Sequence, residues 1–285
     1  MKKVLILGSS GILGSYLLKN FSKKNIIFHN GIKKKKFNLN NLIDLKNLLK
    51  KKPDIVINCI ALTNIELCEK NKKKALKINT LITKNIFDIK NNNDLKFKYL
   101  FISTDQVYDN IYKSDEMSKI KVNNYYTQSK ILAEKLVLKN EGVVLRTNFF
   151  GKVIGKKTFT DWIIGRFQKP KIFFNLINDI SFSPLRLYTL SRAIFRLINH
   201  FPKKAEIFNL GASSALSKEE FAILFGKKMK IYRKNYISTG YKKLLNVKRS
   251  RNMSMCSKKF QKYFNFKINS LEKEIANESK SYKSL

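Results

Sequence analysis

Short apolar runs alternate along this chain with longer stretches in which apolar residues recur every three or four positions. Val4–Leu7, Asn25–Phe28, Asp54–Cys59, Tyr99–Ser103 and Gly142–Arg146 read as buried strands. Between them, Tyr16, Leu17, Leu18 and Phe21 mark one helix face, and Leu42–Leu49 a second helix that Pro53 stops. Residues 66–89 and Tyr126–Lys139 read as two more helices. Strands alternating with helices predict an α/β fold, a doubly wound parallel sheet. Strands that are apolar throughout suit a sheet covered on both faces. The pattern loosens after about residue 150. Glu206–Leu210 is strand-like, and Ser217 with Glu220 three residues later has the spacing of a capping box that opens a helix. Residues 1–150 are expected to form the sheet domain, and 151–285 mainly a smaller substrate-binding lobe, with some segments returning to the first domain.

Composition supports a folded chain: 44% of the 285 residues are hydrophobic and 12% aromatic. No apolar run approaches the ~18 residues of a membrane-spanning helix. The apolar stretch at the N-terminus is short and interrupted by glycine, unlike a signal peptide. Three cysteines, Cys59, Cys68 and Cys256, form no C-x-x-C pair, so neither a disulfide framework nor a metal cluster is expected, and reduced thiols in a cytoplasm are. The formal charge of +38 would ordinarily point to nucleic acid. Only eight of the 58 basic residues are Arg, however, and the lysines are spread along the whole chain. Lys, Asn and Ile are all rich in A/T codons, which explains the excess without a polyanionic partner. Neither nucleic acid nor membrane insertion is therefore expected.

The chain has only 11 glycines, and Gly8, Gly11 and Gly14 lie together between the first strand and the first helix. That is the context of a dinucleotide site. One glycine permits the tight turn, one lets backbone approach a pyrophosphate, and one lets helix pack close to strand. The helix N-terminus then faces the phosphates with its partial positive charge. After the second strand no carboxylate stands ready for a ribose hydroxyl. Instead Lys33–Lys36 could meet a 2′-phosphate, so NADP(H) is favoured over NAD(H), with either admissible. His29 reads as a strand-end residue.

Tyr126 and Lys130 have the four-residue spacing that places two side chains on one helix face. A nearby ammonium favours the phenolate, so such a pair can exchange a proton with a carbonyl or alcohol near neutral pH. Spacing alone proves little: twelve tyrosines and fifty lysines give about two such matches by chance, and two occur. The other, Tyr263 and Lys267, has no hydroxyl partner nearby and reads as core or surface. Tyr126 instead opens a helix about twenty residues after a strand ending in Ser103–Thr104, in the glycine-loop half of the chain. Thr104 could hydrogen-bond a substrate carbonyl.

The G-x-x-G-x-x-G spacing resembles the extended short-chain dehydrogenase/reductases. Within them the chain is similar to the dTDP-4-dehydrorhamnose reductase family, from residue 3 to about 270. The segments that carry the likeness are Pro53–Thr63, Glu66, Glu69, Lys77–Asn79, Ile102–Asp109, Leu145–Thr147, Asn178–Pro184 and Arg249–Ser254. The resemblance implies that Gly8, Gly11, Ile12, Leu13 and Gly14 hold the pyrophosphate and that Asn38 and Leu39 lie near the adenine. It implies that Cys59, Ala61 and Thr63 flank the cofactor, that Tyr126 donates the proton, and that Lys130 also holds the nicotinamide ribose. Thr104 and Asp105 would touch the sugar, and Phe149 lies where the family has a substrate-facing segment. The implied activity is NAD(P)H-dependent reduction of a 4-keto group on a nucleotide-linked deoxysugar, in surface polysaccharide (rhamnose or O-antigen) synthesis, with a nucleotide sugar as substrate and a homodimer as one assembly.

Several positions depart from the family pattern: Asn148–Gly151, Gln106, Ser250 and Met253. They leave two alternatives open. One is a reductase or epimerase of a UDP-linked amino sugar. The other is a non-catalytic dinucleotide-binding protein resembling the regulatory subunit of methionine adenosyltransferase. Trp162 reads as lobe packing.

Overall fold

The computed structural model describes residues 2–21, 27–30, 42–110 and 113–283. Asn38, Leu39 and Lys33–Lys36 lie outside these residues. The chain forms two compact units. The first comprises residues 1–104, 124–146 and 194–208, and the second residues 105–123, 147–193 and 209–285. Residues 105–123 thus belong with the C-terminal half, and 194–208 with the sheet.

The first unit runs β1 (Lys3–Leu7), α1 (Ile12–Phe21), β2 (Ile27–Asn30), α2 (Leu42–Leu49), β3 (Ile55–Asn58), α3 (Ile65–Lys70), α4 (Lys72–Leu76), a π-helical turn (Lys77–Leu81), α5 (Ile82–Asn92), β4 (Lys98–Thr104), α6 (Tyr125–Lys139) and β5 (Val143–Thr147). Strand Glu206–Leu210 completes a six-stranded sheet beside β5, in the order Glu206–Leu210, β5, β4, β3, β1, β2. β1 pairs in parallel with both β2 and β3, and β3 in parallel with β4. The chain moves outward in one direction from β1 to β2 and in the other from β1 to β3. The crevice at the carboxyl ends of β1 and β3 is therefore the switch point where such sheets bind ligands.

The strands are buried because both faces are covered. Leu5, Leu7, Val56, Tyr99, Phe101 and Val144 pack with Leu45, Leu48 and Leu49 of α2, Ile82, Ile86 and Phe87 of α5, and Ala133 and Val137 of α6. Val4, Ile6, Ile55, Ile57, Leu100 and Leu145 alternate onto the opposite face and are equally buried. The doubly wound α/β expectation holds.

Two boundaries differ from the sequence reading. The described second strand is Ile27–Asn30. The stretch 66–89 is not one helix. Asn71 leaves helical geometry (φ −131°, ψ 74°) and caps α4 by accepting the Lys74 N–H, and the chain then widens into the π turn. A short polar side chain that bonds nearby backbone competes with the helical ladder, which apolar periodicity does not reveal.

In the second unit, helix Lys218–Met229 starts with the expected capping box. Ser217 Oγ accepts the Glu220 N–H (3.0 Å), and Glu220 Oε2 accepts the Ser217 N–H (2.7 Å). Thr158 and Asp161 form a second box at helix Phe159–Phe167. Trp162 stacks on Phe159 (centroids 5.9 Å apart) and meets Phe174 edge-on, so it packs this unit.

Candidate active site

The glycine loop follows β1 at the switch point. Gly8 adopts φ +81°, a conformation L side chains rarely take, and a Cβ there would lie 3.0 Å from the Cys59 carbonyl carbon and Ile60 nitrogen. Gly14 faces back from α1, and a Cβ there would sit 2.3 Å from Gly8 O. Both positions exclude any side chain, for the two reasons expected: the turn and the helix–strand contact. Gly11 closes the loop by donating its N–H to Gly8 O (2.9 Å). The leading amides of α1 have no carbonyl within the helix to bond, and no acidic residue occupies its first turn. Leading helix amides beside a loop kept tight by Gly8 and Gly14 fit the pyrophosphate of a dinucleotide.

The loop after β3 is pinned beside this cradle. Cys59 N–H bonds Leu7 O (3.0 Å), and Asn58 Oδ1 accepts the Ile60 N–H (2.9 Å). Asn79, fully buried in the π turn, clamps Leu62 from both sides: Oδ1 accepts the Leu62 N–H (2.7 Å) and Nδ2 donates to its carbonyl (3.2 Å). The same Nδ2 reaches Ser129 Oγ (3.0 Å), which in turn donates to the Tyr126 carbonyl (2.8 Å). One asparagine thus ties the cofactor-side loop to the helix that carries Tyr126. Ala61 is left partly exposed and Thr63 exposed at the rim.

α6 is started by Asn124, whose Oδ1 accepts the Thr127 N–H, and by Glu69, which accepts the Tyr125 N–H (2.9 Å). Tyr126 and Lys130 are one turn apart and both buried. Lys130 Nζ donates to Ile102 O of β4 (2.7 Å) and lies 3.9 Å from the Phe101 ring centroid. That bond docks the helix face onto β4 two residues before Thr104, the buried last residue of the strand. Burial lowers the Lys130 ammonium to about 7, against the pull of Glu134 one turn further on. Burial also pushes the Cys59 thiol up to about 12, with Lys130 opposing. Cys59 therefore touches both halves of the site: its backbone lies against Gly8, and its thiol lies within electrostatic reach of Lys130.

Behind Lys130 lies a buried ion cluster that sequence reasoning missed. Glu134 accepts Ser103 Oγ (2.5 Å), Arg146 Nη2 (2.6 Å) and Arg146 Nε (3.1 Å). The Arg146 and Glu134 side chains are 2% and 3% exposed. Only the Lys130–Glu134 spacing hinted at this cluster. The Arg146 partner comes from another strand.

The second unit gathers the expected sugar contacts Asp105 and Phe149. Asn148 Nδ2 donates to Asp105 Oδ2 (2.7 Å), and Asn148 Oδ1 accepts the Phe149 N–H (2.8 Å). The Asp105 carboxylate is therefore oriented by the residue preceding Phe149. Ser250 is buried, donating to Gln106 O (3.0 Å) and accepting from Asn123 Nδ2 (3.1 Å). These are bonds that a proline could not make. Tyr263 is half exposed and its helix ends at Phe264, so Tyr263 and Lys267 share no helix face. Among the described residues no cluster of three or more His, Cys, Asp or Glu could hold a metal, and no helix is long and apolar enough to cross a membrane.

The family described as "RmlD substrate binding domain" matches residues 1–283. The chain belongs to that family. A curated relative, the spore coat polysaccharide biosynthesis protein SpsK of Bacillus subtilis, is 26% identical over 230 residues, 78% of this chain and 77% of that protein. Among solved structures, a dTDP-4-dehydrorhamnose reductase from Clostridium acetobutylicum superposes with a TM-score of 0.87 at 20% identity, over 99% of both chains. One from Bacillus anthracis, in complex with NADP, does so with a TM-score of 0.86 at 21% identity, over 98% of this chain and 99% of the other. A hypothetical dTDP-4-dehydrorhamnose reductase from Sulfolobus tokodaii is 26% identical with a TM-score of 0.80, over 95% and 98%.

Proposed function

We propose that this member of the family is an NAD(P)H-dependent oxidoreductase that reduces the 4-keto group of a nucleotide-linked deoxysugar, in polysaccharide biosynthesis. One observation carries the reading. Lys130, one turn after Tyr126 on α6, bonds Ile102 O of β4 two residues before Thr104, in the same unit as a glycine loop that leaves no room for a side chain at Gly8 and Gly14. The names of the reductases it superposes on and of the spore-coat relative agree with it.

The dinucleotide, when bound, supplies the hydride. Thr104 holds the carbonyl oxygen through its hydroxyl. Tyr126 Oη gives that oxygen a proton as charge builds on it. Lys130, fixed by Ile102 O and placed one turn from Tyr126, stabilises the phenolate left behind. Its lowered proton affinity lets it pass a proton on near neutral pH. Gly8, Gly11, Ile12, Leu13 and Gly14 would hold the pyrophosphate, and Cys59, Ala61 and Thr63 would border the rest of the cofactor. The conjunction of Tyr126, Lys130 and Thr104 favours catalysis over a purely regulatory dinucleotide-binding role. NADPH is the favoured cofactor on Lys33–Lys36 alone. Asp105, oriented by Asn148, and Phe149 would contact the sugar.

The test is oxidation of NADPH and NADH at 340 nm with dTDP-4-dehydro-L-rhamnose and a panel of UDP-linked keto sugars. Tyr126→Phe should cost about 10²–10⁴ in turnover. A variant that keeps most of its turnover sinks the mechanism.

A further inference from the structure

At the opposite, amino-terminal edge of the same sheet lies a cavity of about 650 Å³. Lys2 stands just before β1, Lys90 lies in the last turn of α5, Lys96 precedes β4 and Lys98 opens it. The glycine loop leaves the other end of β1, five residues and roughly 16 Å away. The cavity is therefore separate from the cradle described above. Lysine makes up under one residue in five of the chain but half of the eight residues lining this cavity. Lysine is about as frequent in this lining as on the exposed surface as a whole, so the placement of the four ammonium groups, not their number, marks the cavity.

Three of the four ammonium groups are held by carbonyls or aromatic rings. Lys2 Nζ donates to the carbonyls of Ile198 (2.9 Å) and Asn199 (3.2 Å), the end of helix Leu187–Asn199. Lys90 Nζ sits 5.2 Å from the Phe97 ring centroid, and Lys98 Nζ 5.4 Å from that of Phe201. Such contacts orient a cation and leave its charge in place. Lys96 pairs with Asp94, both largely exposed, and Lys90 lies within electrostatic reach of Glu141. The single lining carboxylate, Asp54, is engaged by the Lys3 N–H (2.6 Å). The electrostatics confirm the crowding: burial lowers the Lys90 proton affinity, Glu141 opposes, and the Lys96 ammonium adds to the lowering. Beneath the lysines Ile55, Phe97 and Ile198 are buried, so the apolar surface left in the cavity is that of the lysine stems.

We propose that this cavity is a second binding site, for an organic polyphosphate of nucleotide size, with phosphates on Lys2, Lys90, Lys96 and Lys98 and the organic moiety against the aliphatic stems of these lysines. The volume lies within the ~300–1,000 Å³ of small-molecule sites and exceeds what one phosphate fills. Multiple oriented ammonium groups suit a di- or triphosphate. The site is independent of the reductase reading, because none of these residues belongs to the cradle or the Tyr126 face.

The experiment is an NMR titration of isoleucine-methyl-labelled protein at fixed ionic strength, with inorganic pyrophosphate and then ADP. Ile55 and Ile198 report this cavity, and Ile12 separately reports the glycine loop. Saturable shifts at Ile55 and Ile198 are expected, with ADP binding at least threefold tighter than pyrophosphate. Lys90→Gln/Lys98→Gln should weaken both by at least tenfold, while Lys203→Gln/Lys204→Gln, exposed lysines elsewhere on this unit, should change them less than twofold. Should the double variant misfold, Lys96→Gln, at a largely exposed position, should still weaken binding about threefold. Three results each overturn the proposal: no shift at Ile55 and Ile198, equal affinity for pyrophosphate and ADP, or equal weakening by both lysine pairs.

Discussion

Replacing Glu134 with Gln tests how the buried charge behind the proposed active site is balanced. One carboxylate serves two buried cations, Lys130 and Arg146. With Lys130 neutral, the cluster balances as a single ion pair. That balance agrees with a Lys130 ammonium already lowered to about 7. Glu134→Gln keeps the volume but leaves Arg146 desolvated against a neutral amide, which must also turn an NH₂ toward Ser103 or the guanidinium. Breaking a buried pair costs about 3–5 kcal/mol, and the retained amide oxygen puts this change near 3 kcal/mol. At ~2–4 °C per kcal/mol, the melting temperature should fall by about 6–12 °C.

The sign with pH follows from Lys130. Its folded proton affinity lies below the unfolded value of 10.5, so between about 7 and 10.5 the unfolded chain binds the extra proton. This group's contribution to stability therefore rises with pH across that window and is flat below it. Glu134→Gln removes the attraction that raises the Lys130 value, so the lower edge of the window, and the basic limb of kcat/KM that Lys130 sets, should move to lower pH. The assays are urea unfolding at several pH values and pH–rate profiles, with Glu134→Met/Arg146→Met as a control. The control should lose less stability than Glu134→Met alone, because it leaves no orphaned guanidinium. A loss under about 1 kcal/mol for Glu134→Gln, together with an unmoved pH profile, would refute the reasoning.

Two further outcomes follow from the geometry. Gly14→Ala places a methyl 2.3 Å from Gly8 O and must push α1 off β1, so it should abolish NADPH binding measured by fluorescence; Gly165→Ala, a helical glycine with nothing within 4 Å of its Cβ position, should leave binding intact. Asn79→Ala removes both clamps on Leu62 and the bond to Ser129, three bonds at about 1 kcal/mol each, and should raise the KM for the cofactor while lowering kcat. An unchanged KM would show that the loop after β3 holds its shape without it.

What could be read from the chain itself is what depends on neighbours in sequence. The apolar runs of β1, β3, β4 and β5 specify buried strands, because a sheet covered on both faces favours apolar residues at successive positions. The glycine spacing at 8, 11 and 14 reports a turn and a helix–strand contact, both made within seven residues. The Ser217–Glu220 box is likewise local. The break at Asn71 and the π turn went unread because apolar period is blind to a side chain that bonds its own backbone. Tertiary structure decided the rest. It separated Tyr126–Lys130 from its chance twin by ending the second helix at Phe264 and bonding Lys130 to Ile102. It brought Arg146 to Glu134, Asn79 to both Leu62 and Ser129, and Asn148 to Asp105. It also placed four lysines from three segments around one cavity. Desolvation and charge balance act between residues distant in the chain, and neither spacing nor composition records which distant residues will meet.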